Sequence, residues 1–200
     1  MQNDIEQGFV DTDPSVVLDE AKLAEPVHEE ADARTGGSDH LRQRFLCNSW
    51  NTNVLGPMHL TAALIGQFMA QPQAAILNVS SALAMMPAAM MPSYCASKAA
   101  IHSYAQSLRY QIRNTSIQVI EIIPPWIQTE LQGERGMNPK AMPLQDYIAE
   151  TMVILNDSPE STEIVSERSK QMRFAERGDY DAFFGRYNEG WLASQERSSA

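Results

Sequence analysis

Residues 74–98, AAILNVSSALAMMPAAMMPSYCASK, join a short apolar run to the beginning of a helical pattern. The run Ala74–Val79 has the length of a strand and ends two residues before Ser81. Tyr94 follows Ser81 by thirteen residues, and Lys98 follows Tyr94 by four. Residues four apart share a helix face, and the carboxyl ends of parallel strands border the crevice where open α/β sheets bind ligands. We therefore expect a hydroxyl, a phenol and an ammonium to converge on one substrate oxygen.

These three groups together suit proton transfer to or from a carbonyl or alcohol oxygen. A free tyrosine has a pKa of about 10, and an ammonium nearby lowers the pKa because it favours the phenolate. The phenol can then act as a general acid or base near neutral pH, while the serine hydroxyl stabilises charge on the same oxygen. Side chains cannot carry hydride, so reduction or oxidation at this site implies a cofactor.

The chain resembles the short-chain dehydrogenase/reductase family in four motifs. The matching segments are Asn53-x-x-Gly56, Ile76-Leu77-Asn78-Val79-Ser80-Ser81, Tyr94-Cys95-Ala96-Ser97-Lys98-Ala99-Ala100, and the run from Pro124 to Thr129. Beyond these motifs, the segments around residues 163–181 resemble the tails of a DltE-like subgroup. The resemblance covers roughly Asn53 to Asn188, and residues 31–50 match nothing in the family.

The resemblance implies a role for each catalytic candidate. Tyr94 is the implied proton donor and acceptor, and Lys98 lowers the phenol pKa and holds the nicotinamide ribose. Ser81 orients the substrate oxygen, and Asn53 holds a water in the proton relay. Ser80 matches a structural serine of the motif.

The resemblance also implies a nicotinamide cofactor, either NAD or NADP. Tyr94 and Lys98 are implied contacts, together with Pro124, Ile127 and Thr129 in the loop that follows the next strand. Pro125 stands where the family usually has glycine; proline fixes φ near −65° and removes an N–H. We expect this loop to differ locally from that of relatives.

The charge is concentrated at one end of the chain. The net charge is −10, and residues 1–40 contain eleven Asp and Glu against Lys22 and Arg34, a balance of −9. We interpret residues 1–50 as an acidic, poorly ordered leader, with an interaction tail as the alternative. The rest has no basic stripe, which argues against a nucleic-acid partner.

The predicted fold is an α/β Rossmann-like parallel sheet with flanking helices, truncated at the N-terminus. The family's Gly-rich strand–turn–helix, which binds the cofactor pyrophosphate, has no match, since Gly36-Gly37 follows no strand. We expect strands near residues 74–79 and 118–123 and a weak one near 163–166. The organisation predicted is a leader over 1–50, the C-terminal part of a Rossmann-like domain over 51–190, and a frayed tail over 191–200.

Helical patterns are predicted over 53–69, 93–113 and 144–155. Relatives pair through helices that match residues 54–69 and 94–113, so a homo-oligomer is expected. We interpret His59 and His102 as ordinary helix positions, expect no metal site, and interpret Cys95 as a buried filler. The methionine-rich loop over 82–93 lines an apolar substrate pocket or packs into the core. A polar segment with Gly133 and Gly136 stands where relatives carry a substrate-covering loop.

Two functions remain open from the sequence. The first is an NAD(P)-dependent oxidoreductase that interconverts a carbonyl and a secondary alcohol, with a small-molecule substrate. The second is a non-catalytic remnant that acts as an interaction or oligomerisation module. No run of about 20 apolar residues suggests a membrane span, and no signal peptide is visible, so the expected location is the cytoplasm.

Overall fold

The central feature is a sheet of four parallel strands. The computed structural model describes residues 17–18, 49–130 and 137–198. Its strands are β1 (Val17–Leu18), β2 (Ala74–Val79), β3 (Ile117–Ile123) and β4 (Glu163–Val165), hydrogen-bonded in that order. Strands β2, β3 and β4 match the strands that the apolar runs predict, to within one residue at each end.

Helices connect the strands. They are α1 (Gly56–Met69), α2 (Pro92–Gln111), α3 (Leu144–Asp157), α4 (Glu167–Arg173) and α5 (Tyr180–Ser198). Parallel neighbours need a crossover connection, which α2 supplies between β2 and β3, and α3 between β3 and β4. A π-helical turn, Asn51–Leu55, leads into α1, and a 3₁₀ turn, Ala82–Ala84, follows β2.

The two faces of the sheet carry separate apolar clusters. Side chains alternate between the faces along a strand, so Ile76 and Val119 face one way while Leu77 and Ile120 face the other. The first face packs against α1 and α2 through Ile65, Phe68, Leu108 and Ile112. The second packs against α3 through Tyr147, Ile154 and Leu155. Helices on both faces of a parallel sheet confirm the predicted Rossmann-like fold.

Most of the predicted leader lies outside the described residues. Within it, β1 pairs with β2 in parallel, with Val17 opposite Ile76 and Leu18 opposite Leu77. Two residues of the acidic segment therefore pair with part of the β2 edge.

Two further observations concern the helices. Helix α5 continues to Ser198, through much of the segment predicted to fray. The helices described here are all too short or too polar to cross a bilayer.

Candidate active site

Ser81 lies immediately beyond the carboxyl end of β2. Its backbone is extended, and its Oγ accepts a hydrogen bond of 3.1 Å from the Leu83 amide, which caps the 3₁₀ turn. The residue is 6% exposed. Because this bond uses Oγ as the acceptor, the hydroxyl proton is not consumed by the cap. Ser81 is therefore fixed at the rim of the sheet with a donor to offer.

Tyr94 and Lys98 lie in the first turns of α2. Pro92 opens the helix, which suits proline because the first helical N–H has no partner. Lys98 Nζ lies 5.8 Å from the centroid of the Tyr94 ring. The same ammonium donates a hydrogen bond of 2.9 Å to the carbonyl oxygen of Val79, the last residue of β2. Lys98 thus joins the helix that carries the phenol to the strand that leads into Ser81.

Asn53 is presented by the π-helical turn. A Cβ at Gly56 would lie 3.1 Å from the Asn51 carbonyl oxygen, so glycine leaves room for that oxygen where the π-helical turn joins α1. Asn53 Nδ2 donates to Ser97 Oγ at 3.0 Å, and Ser97 Oγ donates to the Tyr94 carbonyl oxygen at 2.8 Å. π-Helical turns occur often at functional sites. Here the turn holds the Asn53 amide against the backbone of the helix that carries Tyr94.

The loop after β3 is tied to the loop after β2. The Ala82 amide donates to the Pro124 carbonyl oxygen at 3.0 Å, directly beside Ser81. Further along, the Gln128 amide donates to Met142 O and the Met142 amide to Trp126 O, both at 2.8 Å. These bonds hold the segment with Pro125 in place. Pro124, Ile127 and Thr129 are all half-buried at this same end of the sheet.

Helix α5 supports both loops from outside. The Tyr180 hydroxyl donates to Met85 O at 3.2 Å, and the Asn188 side chain accepts from the Ala89 amide at 2.6 Å. The rings of Trp126 and Trp191 lie 5.3 Å apart between centroids. In the methionine-rich loop, Met86 is fully buried and belongs to the core, whereas Met85, Met90 and Met91 are half-buried. Core packing is therefore confirmed for Met86, and the substrate-pocket role of the other methionines stays a prediction.

A buried ionic network lies behind the site, and sequence reasoning missed it. Glu121 on β3 is 0% exposed and accepts from Ser80 Oγ and from the ring of His102. The interpretation of His102 as an ordinary helix position was wrong, because its ring binds the buried carboxylate of Glu121, 19 residues further along the chain. An apolar strand interrupted by one glutamate, Gln118-Val119-Ile120-Glu121-Ile122, was the available signal. The assignment of Ser80 to a structural role agrees with its burial.

Glu163 extends this network across the sheet. It is the register partner of Glu121 on β4, and Arg173 binds it through Nε at 2.7 Å and Nη2 at 2.8 Å. Burial alone would raise the pKa of Glu163. The hydrogen bonds and charge of Arg173, with a smaller contribution from Arg109, outweigh burial and lower that pKa.

His102, Glu121 and Glu163 also have the spacing of metal ligands. One ligand atom from each lies within 4.8 Å of the others. However, the guanidinium groups of Arg173 and Arg109 lie near the carboxylates, and Arg173 binds both oxygens of Glu163. Ion pairing accounts for these side chains, since buried charges in proteins are paired.

The described residues place several of the predicted groups near the carboxyl ends of β2 and β3. Asn53 contacts the helix of Tyr94 through Ser97, Lys98 binds the Val79 carbonyl two residues before Ser81, and the Pro124 carbonyl accepts from the Ala82 amide, next to Ser81. Among the described glycines, none lies between a strand and the N-terminus of a following helix. The predicted covering loop falls on residues 131–136, which lie outside the described part.

Comparison with known proteins supports the family. The model of the short chain dehydrogenase family matches residues 34–140. The match begins upstream of Asn53, in a segment for which we expected no family likeness. Over 140 residues the chain is 39% identical to the uncharacterized oxidoreductase DltE of Bacillus subtilis, covering 68% of this chain and 55% of that protein. It is 33% identical over 84 residues to an NADP-dependent 3-hydroxy acid dehydrogenase of Schizosaccharomyces pombe, covering 42% of this chain and 32% of that enzyme.

Solved structures agree on the fold. A short chain dehydrogenase of Burkholderia cenocepacia in complex with NADP superposes with a TM-score of 0.63 at 21% identity, covering 72% of this chain and 61% of that one. A Sphingobium yanoikuyae short-chain dehydrogenase in complex with NADPH gives a TM-score of 0.56 at 21% identity, with coverage of 78% and 58%. The chain spans about half the length of DltE, 55%. On the family match, the DltE likeness and the fold, the chain belongs to the short-chain dehydrogenase/reductase family and is DltE-like within it.

Proposed function

We propose that this protein is an NAD(P)-dependent oxidoreductase that interconverts a carbonyl and a secondary alcohol on a small molecule. The observation that carries the proposal is the position of Lys98. Its ammonium lies beside the Tyr94 ring and is hydrogen-bonded to the carbonyl of Val79, two residues before Ser81. A phenol, a cation and a hydroxyl at one end of a parallel sheet are the groups that proton transfer to a substrate oxygen requires.

Each catalytic residue has a distinct proposed task. Tyr94 donates the proton during reduction and accepts it during oxidation. Lys98 favours the phenolate, because an opposite charge nearby stabilises the ionised form. Ser81 donates a hydrogen bond to the substrate oxygen, and its capping bond to the Leu83 amide fixes its orientation. Asn53, held by Ser97, is proposed to orient a water that resupplies the proton.

The residues at the site fit the nicotinamide end of a dinucleotide. When bound, NAD or NADP supplies the hydride that no side chain can carry. Lys98 and Tyr94 would contact the ribose, and Pro124, Ile127 and Thr129 would contact the nicotinamide from a loop held by backbone bonds to Met142 and Ala82. The structures that contain NADP or NADPH support this class of cofactor by their fold. The choice between NAD and NADP stays open.

Assembly and organisation are part of the proposal. Helix α1 exposes the large apolar side chains of Leu60 and Met69, and Leu55 is exposed just before it. On α2, Tyr110 is 70% exposed. We propose a homo-oligomer formed through these two helices, with residues 51–190 as the catalytic domain and residues 1–50 and 191–200 as accessory segments. The proposed location is the cytoplasm.

The test is a cofactor titration followed by an assay. The purified chain is titrated with NADH and NADPH, and saturable binding at roughly micromolar concentration is expected. A panel of ketones and secondary alcohols is then assayed by nicotinamide absorbance. Tyr94→Phe should lose turnover by about 10²-fold or more while keeping cofactor binding and its circular dichroism spectrum.

Tyr104→Phe is the matched control, because Tyr104 lies on the same helix but packs against the apolar cluster of Ile76 and Val119. It should keep full activity. A folded chain that binds neither cofactor at millimolar concentration would overturn the proposal and favour the non-catalytic interaction module.

A further inference from the structure

Glu121 is a carboxylate in the centre of the sheet, where charge is costly. It is 0% exposed and lies between Ile120 and Ile122 on β3. An isolated buried carboxylate costs far more free energy than a buried apolar side chain unless hydrogen bonds and opposite charges compensate. An isoleucine or valine would satisfy the packing of a strand that is buried along almost its whole length. The charge at this position therefore indicates a role for Glu121 other than packing.

The contacts of Glu121 join two elements that carry the site. Directly after β2, Ser80 Oγ donates to Glu121 Oε1. From α2, His102 Nδ1 lies 2.8 Å from Oε2 and 2.9 Å from Oε1. Thus one carboxylate holds the residue before Ser81 and, at the same time, the helix that carries Tyr94.

The helical spacing makes this link direct. Tyr94, Lys98 and His102 follow each other at intervals of four residues, so they lie along one face of α2. Lys98 binds the end of β2 at Val79, and His102 reaches the same strand end through Glu121 and Ser80. Two successive turns of α2 are therefore attached to consecutive residues, Val79 at the end of β2 and Ser80 directly after it.

The hydrogen bonds are consistent with a neutral His102. If Nδ1 carries the proton, it donates to Glu121, and Nε2 accepts from Gln106 Nε2 at 3.1 Å. Every polar atom of the ring then has a partner. Glu121 and Glu163 are balanced by Arg173 and by Arg109, whose guanidinium also binds the carbonyls of Val119 and Thr162.

We infer that Glu121 and His102 are positioning residues that set the distance between Ser81 and Tyr94 for proton transfer. This inference rests on the proposed function. Neither residue touches the substrate: both act through Ser80 and the face of α2. Removing the link should let α2 move relative to β2, and a misplacement of about 1 Å at a reacting group costs up to about 10²-fold in rate.

The test compares two substitutions at one position. Asparagine places its amide nitrogen close to where Nδ1 of histidine lies, so His102→Asn keeps the donor to Glu121, whereas His102→Leu removes it. We expect kcat to fall by about 10- to 100-fold in His102→Leu, with little change in the cofactor Kd, and to recover most of that loss in His102→Asn. His59→Leu, at an exposed histidine of α1, is the control and should behave as the wild type.

A second readout does not need turnover. The Leu83 amide is held by Ser81 Oγ, so its hydrogen exchange, followed by NMR, reports on the order of the Ser81 turn. Exchange should be faster in His102→Leu and close to the wild-type rate in His102→Asn. Glu121→Leu, which removes the acceptor for both Ser80 and His102, should resemble His102→Leu in both readouts.

The outcomes distinguish the positioning inference from the proposed function. Unchanged kcat and unchanged Leu83 exchange in a folded His102→Leu would overturn the positioning inference. Equal loss of kcat in the Asn and Leu variants would also overturn it, since the donor would then be irrelevant. A wild-type chain without turnover counts against the proposed function alone, and the exchange rates then decide the inference.

Discussion

Lys98 Nζ donates a hydrogen bond of 2.9 Å to the carbonyl oxygen of Val79, which connects the second turn of α2 to the last residue of β2. The same ammonium lies 5.8 Å from the centroid of the Tyr94 ring. The cation therefore holds the helix that carries the phenol against β2, and we propose that it also stabilises the phenolate. This double use explains why a lysine, with its long stem and compact charge, suits the position.

Lys98→Met removes the ammonium and keeps most of the stem. We expect turnover to fall by about 10²-fold or more, because the phenol loses the charge that favours proton release. Steady-state kinetics with the better of the two nicotinamide cofactors measures the effect. Lys140→Met, at an exposed lysine, is the control. Wild-type turnover in Lys98→Met would contradict the role assigned to the ammonium.

Ser97→Ala should destabilise the fold through the contact between the π-helical turn and α2. Ser97 is 0% exposed, accepts from Asn53 Nδ2 and donates to Tyr94 O. Leaving such partners unsatisfied costs about 1–3 kcal/mol. Urea unfolding followed by circular dichroism gives the change. Ser107→Ala, at an exposed serine of the same helix, should be near neutral, and an equal loss in both variants would contradict the argument.

The Glu163–Arg173 pair should contribute stability that depends on pH. The pKa of Glu163 is lowered below its ordinary value of 4.5 because the hydrogen bonds and charge of Arg173 outweigh burial. A group with a lowered pKa in the folded state stabilises the protein above its unfolded pKa, and this stability is lost as pH falls through the folded pKa. Glu163→Gln should therefore lose less stability than the wild type when pH falls from neutral to below 4.5.

Denaturant unfolding at neutral and acidic pH tests this difference. Glu160→Gln is the control, because Glu160 is exposed. It should follow the wild type at both pH values. Parallel losses of stability for Glu163→Gln and the wild type would show that the ion pair does not contribute to acid sensitivity.

Met86→Ala should test which methionines of the loop after β2 belong to the core. Met86 is 0% exposed, so truncation leaves a cavity that costs about 2–5 kcal/mol. Met86→Leu conserves the volume and should cost less than about 1.5 kcal/mol. Met152→Ala, at a methionine of α3 that is 51% exposed, is the control. A smaller loss of stability in Met86→Ala than in Met152→Ala would contradict the assignment of Met86 to the core.

Leu60→Lys tests the proposed oligomer. Leu60 is 42% exposed on α1, and a charge buried in an apolar interface is strongly unfavourable. We expect the variant to shift toward monomer in sedimentation velocity, while circular dichroism stays unchanged. Ile148→Lys, at an exposed position of α3, should leave the assembly as it is in the wild type. A wild type that sediments as a monomer would contradict the proposed interface.

The sequence by itself determined the elements and the residues of the candidate site. Apolar runs of strand length located β2 and β3, because strands buried on both faces must be continuously apolar. The interval of four between Tyr94 and Lys98 put them on one helix face, since the period of the α-helix is local and fixed. The position of Ser81 after a predicted parallel strand, and the family likeness for Asn53, predicted that both belong to the same site. These features depend on residues close together in the chain.

Only the tertiary structure decided the contacts that hold those residues in place. Glu121 meets Ser80 and His102 at separations of 41 and 19 residues, and Asn53 meets Ser97 at a separation of 44. Such partners depend on strand register and on how α2 packs against the sheet, and a shift of one residue in register would turn Glu121 to the other face. The periodicity of the sequence predicts which face of an element a side chain occupies, but not which residue of another element it meets. For that reason the sequence did not show that His102 binds Glu121 of β3.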